Sequence, residues 1–238
     1  MNEALKLKKK YKTARDKLFN SLIINNDGFI FNNHHTKLVD DVVRDIVKNI
    51  IKEYSIDDFA LIAVGGYGRN DLSPKSDVDL LFLYKKSNKN IKNFITTLNN
   101  NLWDVGLEVG ISFLTLKQVI IDSKKDIKTV TKFAESRHLI GDEDYYGEFV
   151  RSIKILIGRL NPLKLSEKKL LELVERHDYY LGIKSNLEPQ IKEGIGGLRD
   201  IHTIIWVSIF MFNVLKLEDL IQINIFTSQE VKELKNAW

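Results

Sequence analysis

The chain has no cysteine, which excludes disulfides and thiolate metal sites; any metal must be held by oxygen or imidazole. Proline is scarce, three among 238 residues, and those three mark no disordered linker. Long apolar runs are also missing: none approaches the roughly 20 residues that cross a bilayer. The charged start, Met1 to Lys10, has no apolar stretch followed by a cleavage site. These absences predict a soluble, cytoplasmic protein without a membrane partner. A strong charge excess is lacking too, since 36 Lys and Arg face 32 Asp and Glu for a net charge of +4. That surplus is too small to point to nucleic acid as a partner. Lysine, asparagine and isoleucine are frequent throughout, so a single lysine carries little weight.

The length suits one large or two modest domains, and no internal repeat is visible. From Glu3 to Ile23, Leu5, Tyr11, Ala14, Leu18 and Leu22 recur at near-helical spacing among lysines, predicting an amphipathic helix with a basic face. Asn25 to Asn33 is polar and reads as a turn. Leu38, Val42, Val43, Ile46, Val47, Ile50 and Ile51 then mark a second helix. His34 and His35, at the junction, have no partner at ligand spacing and read as exposed loop residues.

Phe59 to Val64 and Val78 to Tyr84 are short apolar runs that predict buried strands, Ile91 to Trp103 predicts a helix, and Leu107 to Leu114 a third strand. After about residue 115 no further strand is evident; helices are expected at Tyr146 to Leu160, Ser166 to Leu187 and Leu198 to Val214. The expected organisation is α+β: N-terminal helices at 1–55, a strand-containing domain at 56–140 and a helical domain at 141–238.

The stretch from Val64 to Leu81 carries the chemistry. Gly65 and Gly66 follow a strand, where backbone amides can approach phosphate oxygens without an intervening side chain; a simple tight turn is the alternative. Asp77 and Asp79 alternate along a strand and so share one face. Beside apolar Val78, Leu80 and Leu81 their charges are costly unless a cation lies between them. A hard divalent ion, magnesium or in its place manganese, meets that need. The alternative is that both acids cap a strand at the surface.

Gly65-Gly66, about ten residues, and then Ser76-Asp77-Val78-Asp79 resemble the signature of the DNA polymerase beta type nucleotidyltransferases. The resemblance implies that family's sheet with flanking helices, two-metal nucleotidyl transfer and a third carboxylate on a neighbouring strand. Glu108 is the candidate and Asp104 the second; the alternative is that either caps the preceding helix or pairs with lysine.

A narrower resemblance spans most of the chain. Gly65-Gly66-Tyr67-Gly68-Arg69 with Ser76-Asp77-Val78-Asp79-Leu80-Leu81 is similar to the amino-terminal transferase region of the bifunctional uridylyltransferase and uridylyl-removing enzymes that modify the nitrogen-signalling protein PII. Arg176-His177 and the run from Asn186-Leu187-Glu188-Pro189 through Gly194-Ile195-Gly196-Gly197-Leu198-Arg199-Asp200-Ile201 resemble that family's helical-domain motif. The implied reaction transfers UMP from UTP to a PII tyrosine and releases pyrophosphate. In it Asp77, Asp79 and Glu108 are catalytic, the first two also bind metal, and Gly65, Gly66, Arg69 and Ser76 meet the nucleotide. Lys192 and Arg199 either face the triphosphate or brace the two domains, unless the glycines are only a turn supported by an Asp200 ion pair. His202 reads as a packing residue. The chain departs from the pattern at Ile111, where the family usually has histidine, and at Ile195, where it usually has proline. The resemblance further implies a hydrolase domain and two sensing domains beyond Trp238, so the helical domain reads as truncated. The rival readings are a catalytically silent fragment or binding module, and a transferase with another acceptor.

Overall fold

The computed structural model describes residues 3–25, 27–86, 89–183, 190–214 and 216–237. Asn186, Leu187, Glu188, Pro189 and Trp238, named above, lie outside these. The chain forms two compact units, residues 1–123 with 132–152, and residues 124–131 with 153–238. Among the described residues no helix is long and apolar enough to cross a membrane.

In the first unit α1 (Glu3–Asn25) and α2 (Gly28–Tyr54) precede β1 (Phe59–Val64), a single helical turn α3 (Gly65–Gly68) and β2 (Val78–Tyr84). Then come α4 (Lys89–Val105), β3 (Val109–Leu114), α5 (Leu116–Lys125), α6 (Ile127–Ala134), β4 (Ser136–Gly141) and α7 (Glu143–Arg159), of which residues 124–131 and 153–159 fall in the second unit. The strands form one mixed sheet in the order β3-β2-β1-β4; β1 is antiparallel to β2 and β4, and β2 is parallel to β3. Parallel neighbours need a crossover, which α4 supplies, burying Ile91, Phe94, Leu98, Leu102 and Val105 at helical spacing. The α+β class is therefore correct.

One sheet face, carrying Phe59, Leu61, Ala63, Val78, Leu80 and Phe82, shares its core with Tyr11 of α1 and with Val39, Val43, Ile46 and Val47 of α2. The N-terminal helices thus belong to the same core as the sheet. The opposite face, with Ala60, Ile62, Val64, Leu81 and Leu83, is buried as well, which explains why β1 and β2 read as continuous apolar runs without alternation.

Three expectations need correction. The predicted turn at Asn25 to Asn33 is helical from Gly28, because the Asp27 side chain accepts the Ile30 N–H at 2.9 Å and caps α2. β4 went unpredicted: it is an edge strand whose Arg137 and His138 interrupt the apolar pattern, and pairing with β1 rather than propensity makes it a strand. His34 is exposed, but His35 is a buried helical residue. Its Nδ1 donates to the Leu72 carbonyl at 3.1 Å, which leaves Nε2 to accept from the Tyr11 hydroxyl at 3.5 Å.

The second unit contains α8 (Pro162–Ile183), α9 (Leu198–Phe212), α10 (Asp219–Gln222) and α11 (Ser228–Ala237). α9 buries Ile201, Ile205, Trp206 and Ile209 on one stripe, and His202 is buried beside Trp206.

Burial depresses the His35 imidazole below the usual histidine range; the Leu72 hydrogen bond opposes this and Arg15 adds to it. An unfolded histidine titrates near about 6.5. The stability from burying the neutral ring is thus fully present above about pH 6.5 and is lost as pH falls through the lower folded value. Between pH 7 and 5 the chemical-denaturation midpoint of the wild type should fall more steeply than that of His35→Asn, which keeps a donor for Leu72 without titrating. Equal slopes would contradict the assignment.

Candidate active site

The turn after β1 is held by one face of α2. Asn32 donates to Asp71 at 2.8 Å, Thr36 Oγ1 accepts the Leu72 N–H at 3.2 Å, and His35 holds the Leu72 carbonyl. One turn further along, the Asp40 carboxylate accepts the Tyr67 hydroxyl at 2.7 Å and a bidentate pair from Arg137 of β4 at 2.6 and 3.0 Å. Residues 32, 36 and 40 are spaced by four and so lie above one another on the helix. Burial, and then the Asp40 charge, push the Tyr67 phenol well above its ordinary value, so it stays protonated and donating. Arg137 also donates to the Tyr67 carbonyl at 3.3 Å, which ties the same residue at both ends.

Within the turn, Gly65 lies in the left-handed region, with φ of +61°, where side chains are strained. The Arg69 N–H closes on the Gly65 carbonyl and the Asp71 N–H on the Gly66 carbonyl, both at 3.0 Å. Gly68 packs against the backbone that leads into β4: a Cβ there would collide with the Glu135 carbonyl oxygen and sit 2.9 Å from the Ala63 carbonyl oxygen. Arg69, expected to neutralise phosphate charge, donates to Glu135, whose side chain is only 2% exposed, and lies 4.0 Å from Asp71. Its guanidinium anchors the turn to the segment before β4.

Asp79 stands where the turn and the sheet meet. A Cβ on Gly65 would be 3.7 Å from Asp79 Oδ2, and one on Gly110 of β3 3.2 Å from Oδ1, so the carboxylate is flanked by two residues without side chains. This side-chain-free space beside an oxygen donor fits a hard divalent cation and the phosphates it would carry. Lys132 Nζ, 2.8 Å from Oδ1, already brings a positive charge there. Asp77 is exposed one residue before β2, on the strand parity of Asp79; among the described residues no ion pair engages it. Ser76 is exposed, and its N–H closes a turn on the Ser73 carbonyl at 3.1 Å.

Glu108 lies one residue before β3, not within it, with an exposed side chain; its carbonyl accepts the Val78 N–H at 2.8 Å. It therefore stands beside the start of β2, next to Asp77 in the chain register. Asp104 is exposed near the end of α4. Among the described residues no three His, Cys, Asp or Glu side chains form a ready metal cluster.

Lys192 and Arg199 lie in the second unit. Lys192 is exposed, whereas Arg199 pairs with Glu193 at 2.9 Å and lies over the Trp206 ring at 5.4 Å. Asp200 accepts from Arg176 at 2.6 Å, from the Gly196 N–H at 2.8 Å and, at 3.0 Å, faces His177 Nε2. Burial raises its carboxyl, but the bonds from His177, Arg176 and Gly196 outweigh this and hold it below the usual carboxylate range. The glycines form a tight turn: Gly196 has φ of +74°, and a Cβ on Gly197 would lie 2.6 Å from the Ile191 carbonyl oxygen. Within its unit, the Asp200 cluster fixes this turn against α8.

Comparison with known proteins fits this geometry. Residues 43–141 match the nucleotidyltransferase domain family, and residues 164–238 match the GlnD PII-uridylyltransferase family. The chain is 36% identical over 209 residues to a bifunctional uridylyltransferase/uridylyl-removing enzyme of Hydrogenovibrio crunogenus, covering 85% of this chain and 23% of that protein. Enzymes of the same description from Chromobacterium violaceum and Pseudoalteromonas translucida are 37% and 39% identical over 75% and 76% of the chain, in each case 21% of the relative. The chain thus spans less than a quarter of the length of these relatives.

The packing around the turn separates its glycines. Gly68→Ala should destabilise by about 2 kcal/mol or more, since backbone must shift to admit the methyl. Gly66→Ala should change stability by less than about 0.5 kcal/mol, because its Cβ would meet only the Asp71 carbonyl oxygen at 3.5 Å and Arg69 Nη2 at 3.7 Å. Urea unfolding of both variants checks this; equal effects would mean that the turn is not packed as described.

Proposed function

Because the chain belongs to the nucleotidyltransferases related to the bifunctional uridylyltransferase/uridylyl-removing enzymes, we propose that it transfers UMP from UTP to a tyrosine of PII, with release of pyrophosphate. The observation that carries this reading is the Asp79 carboxylate, set between Gly65 and Gly110, with Asp77 one residue before the strand at the same parity.

In this reading Asp77 and Asp79 hold magnesium, or manganese in its place, with Glu108 as the third carboxylate. When bound, the divalent ion neutralises triphosphate charge and favours departure of pyrophosphate. The protein supplies position. The Gly65 and Gly66 amides receive phosphate oxygens, and Ser76 lies on the loop that leads from them to the acids. Arg69, paired with Glu135, keeps the turn in place beside the phosphates. Glu108, one residue before β3, takes the proton from an attacking tyrosine hydroxyl in this reading. In-line attack on the α-phosphorus then forms the new O–P bond as the bond to pyrophosphate breaks. Lys192 and Arg199, the second unit's candidates for the triphosphate, are not needed for these steps; the Arg199 side chain pairs with Glu193.

Asp77→Asn and Asp79→Asn should each lower transfer of labelled UMP from α-labelled UTP to purified PII by more than about 100-fold, because outer-shell partners of metal ligands alone are worth up to that much. Gly66→Val should weaken UTP binding without unfolding the chain, since its branched side chain occupies the approach of phosphate. Transfer at the wild-type rate by either folded Asp variant would refute the metal assignment, and unchanged UTP affinity in Gly66→Val would leave Gly66 as turn geometry alone. PII, RNA and small hydroxyl compounds tried side by side test the acceptor.

A further inference from the structure

Lys132 is absent from every motif considered so far, yet among the described residues it is the cation that pairs with a proposed catalytic carboxylate. It opens the segment 132–152 of the first unit, so it and Asp79 belong to the same compact body. Its Nζ donates to Asp79 Oδ1 at 2.8 Å. The two side chains are 33% and 37% exposed, so the pair is neither locked in the core nor fully solvated. The same oxygen faces Gly110, whose missing side chain leaves the space beside it open.

From this arrangement we infer that Lys132 is the internal counter-ion of the nucleotide site: it rests on Asp79 when the site is empty and moves to the triphosphate when metal and nucleotide enter. The inference rests on the assignment of Asp79 as a metal ligand. An ammonium 2.8 Å from Oδ1 takes one acceptor site of the carboxylate and sets a positive charge where a divalent ion would approach, so metal and lysine compete for Asp79 by charge. A lysine is suited to yield, being a compact charge on a flexible four-carbon stem. Once displaced, the ammonium stays within side-chain reach of Asp79, where the phosphates accompanying the metal bring new negative charge. Asp77 carries no such partner among the described residues, so one carboxylate is masked and the other is not. The consequence is an order of events. Metal without nucleotide binds against the charge of the lysine, whereas metal arriving with triphosphate offers the lysine a replacement anion.

The test uses the intact chain and the variants Lys132→Met, Lys132→Arg and Lys132→Met combined with Asp79→Asn, each checked for folding by circular dichroism. Mn2+ binding without nucleotide, read by electron paramagnetic resonance, should tighten about two- to fivefold in Lys132→Met, the range a partly exposed ion pair supports. It should stay near wild type in Lys132→Arg, and the gain should vanish in the double variant. UTP affinity in the presence of Mg2+ should weaken about three- to tenfold in Lys132→Met and be largely kept in Lys132→Arg. Unchanged or weaker Mn2+ binding in folded Lys132→Met, or a gain that persists without Asp79, would overturn the counter-ion role. Unchanged UTP affinity would overturn the move to phosphate. These readings need neither PII nor turnover, so a wrong acceptor leaves them intact. If neither wild type nor Lys132→Met binds Mn2+, the metal assignment fails and the inference with it.

Discussion

The buried carboxylate of Asp40 is the point on which the first unit depends. It sits among the valines of α2, with its side chain 8% exposed; Arg44 of the same helix lies 3.4 Å away, and its closer partners come from two other places in the chain, Arg137 on β4 and Tyr67 in the glycine turn. A charge so placed is tolerated only when paired and hydrogen-bonded, and removal of one partner from such a pair costs about 3–5 kcal/mol. The cluster therefore specifies as much as it stabilises. α2, the turn and the edge strand meet in the arrangement that gives Asp40 its two shortest partners, Arg137 and Tyr67, beside Arg44 of its own helix at 3.4 Å.

The site inherits that arrangement. Asn32, His35, Thr36 and Asp40 hold the turn at several points along its length, and Arg69 and Glu135 tie its far side to the approach to β4. The backbone of Gly65 is consequently fixed beside Asp79, which the β2–β3 pairing places opposite Gly110. Preorganisation of this kind is what transfer to a phosphorus centre requires, since catalysis there is chiefly positioning and charge stabilisation. None of the clamping residues needs to touch a nucleotide to matter.

Much of this was legible in the sequence where a single rule governs. β1 and β2 were readable to the residue because both are buried on both faces and bounded by turn residues. Asp79 falls on β2 as read, because strand propensity is local, whereas Asp77 lies one residue before the strand. Features that depend on remote partners were not legible. β4 is a strand because β1 offers an edge, and its Arg137 faces Asp40, 97 positions away. His35 read as a loop residue because its partners, Leu72 and Tyr11, lie 37 and 24 positions distant. Lys132 was hidden among many lysines, and only the fold brings it to Asp79. One signal was available: Thr36 and Asp40 interrupt the apolar face of α2 at a spacing of four, and polar residues on a buried stripe demand partners.

The central claim is that the glycine turn and the paired aspartates form one metal-dependent nucleotide site. It is tested most directly by the backbone amide spectrum of isotope-labelled protein titrated with UTP, with and without Mg2+. The account predicts that the largest shifts fall on Gly65, Gly66, Asp77 and Asp79 and that they require the metal. Shifts of equal size without Mg2+, or a response confined to residues away from the turn and β2, would contradict it.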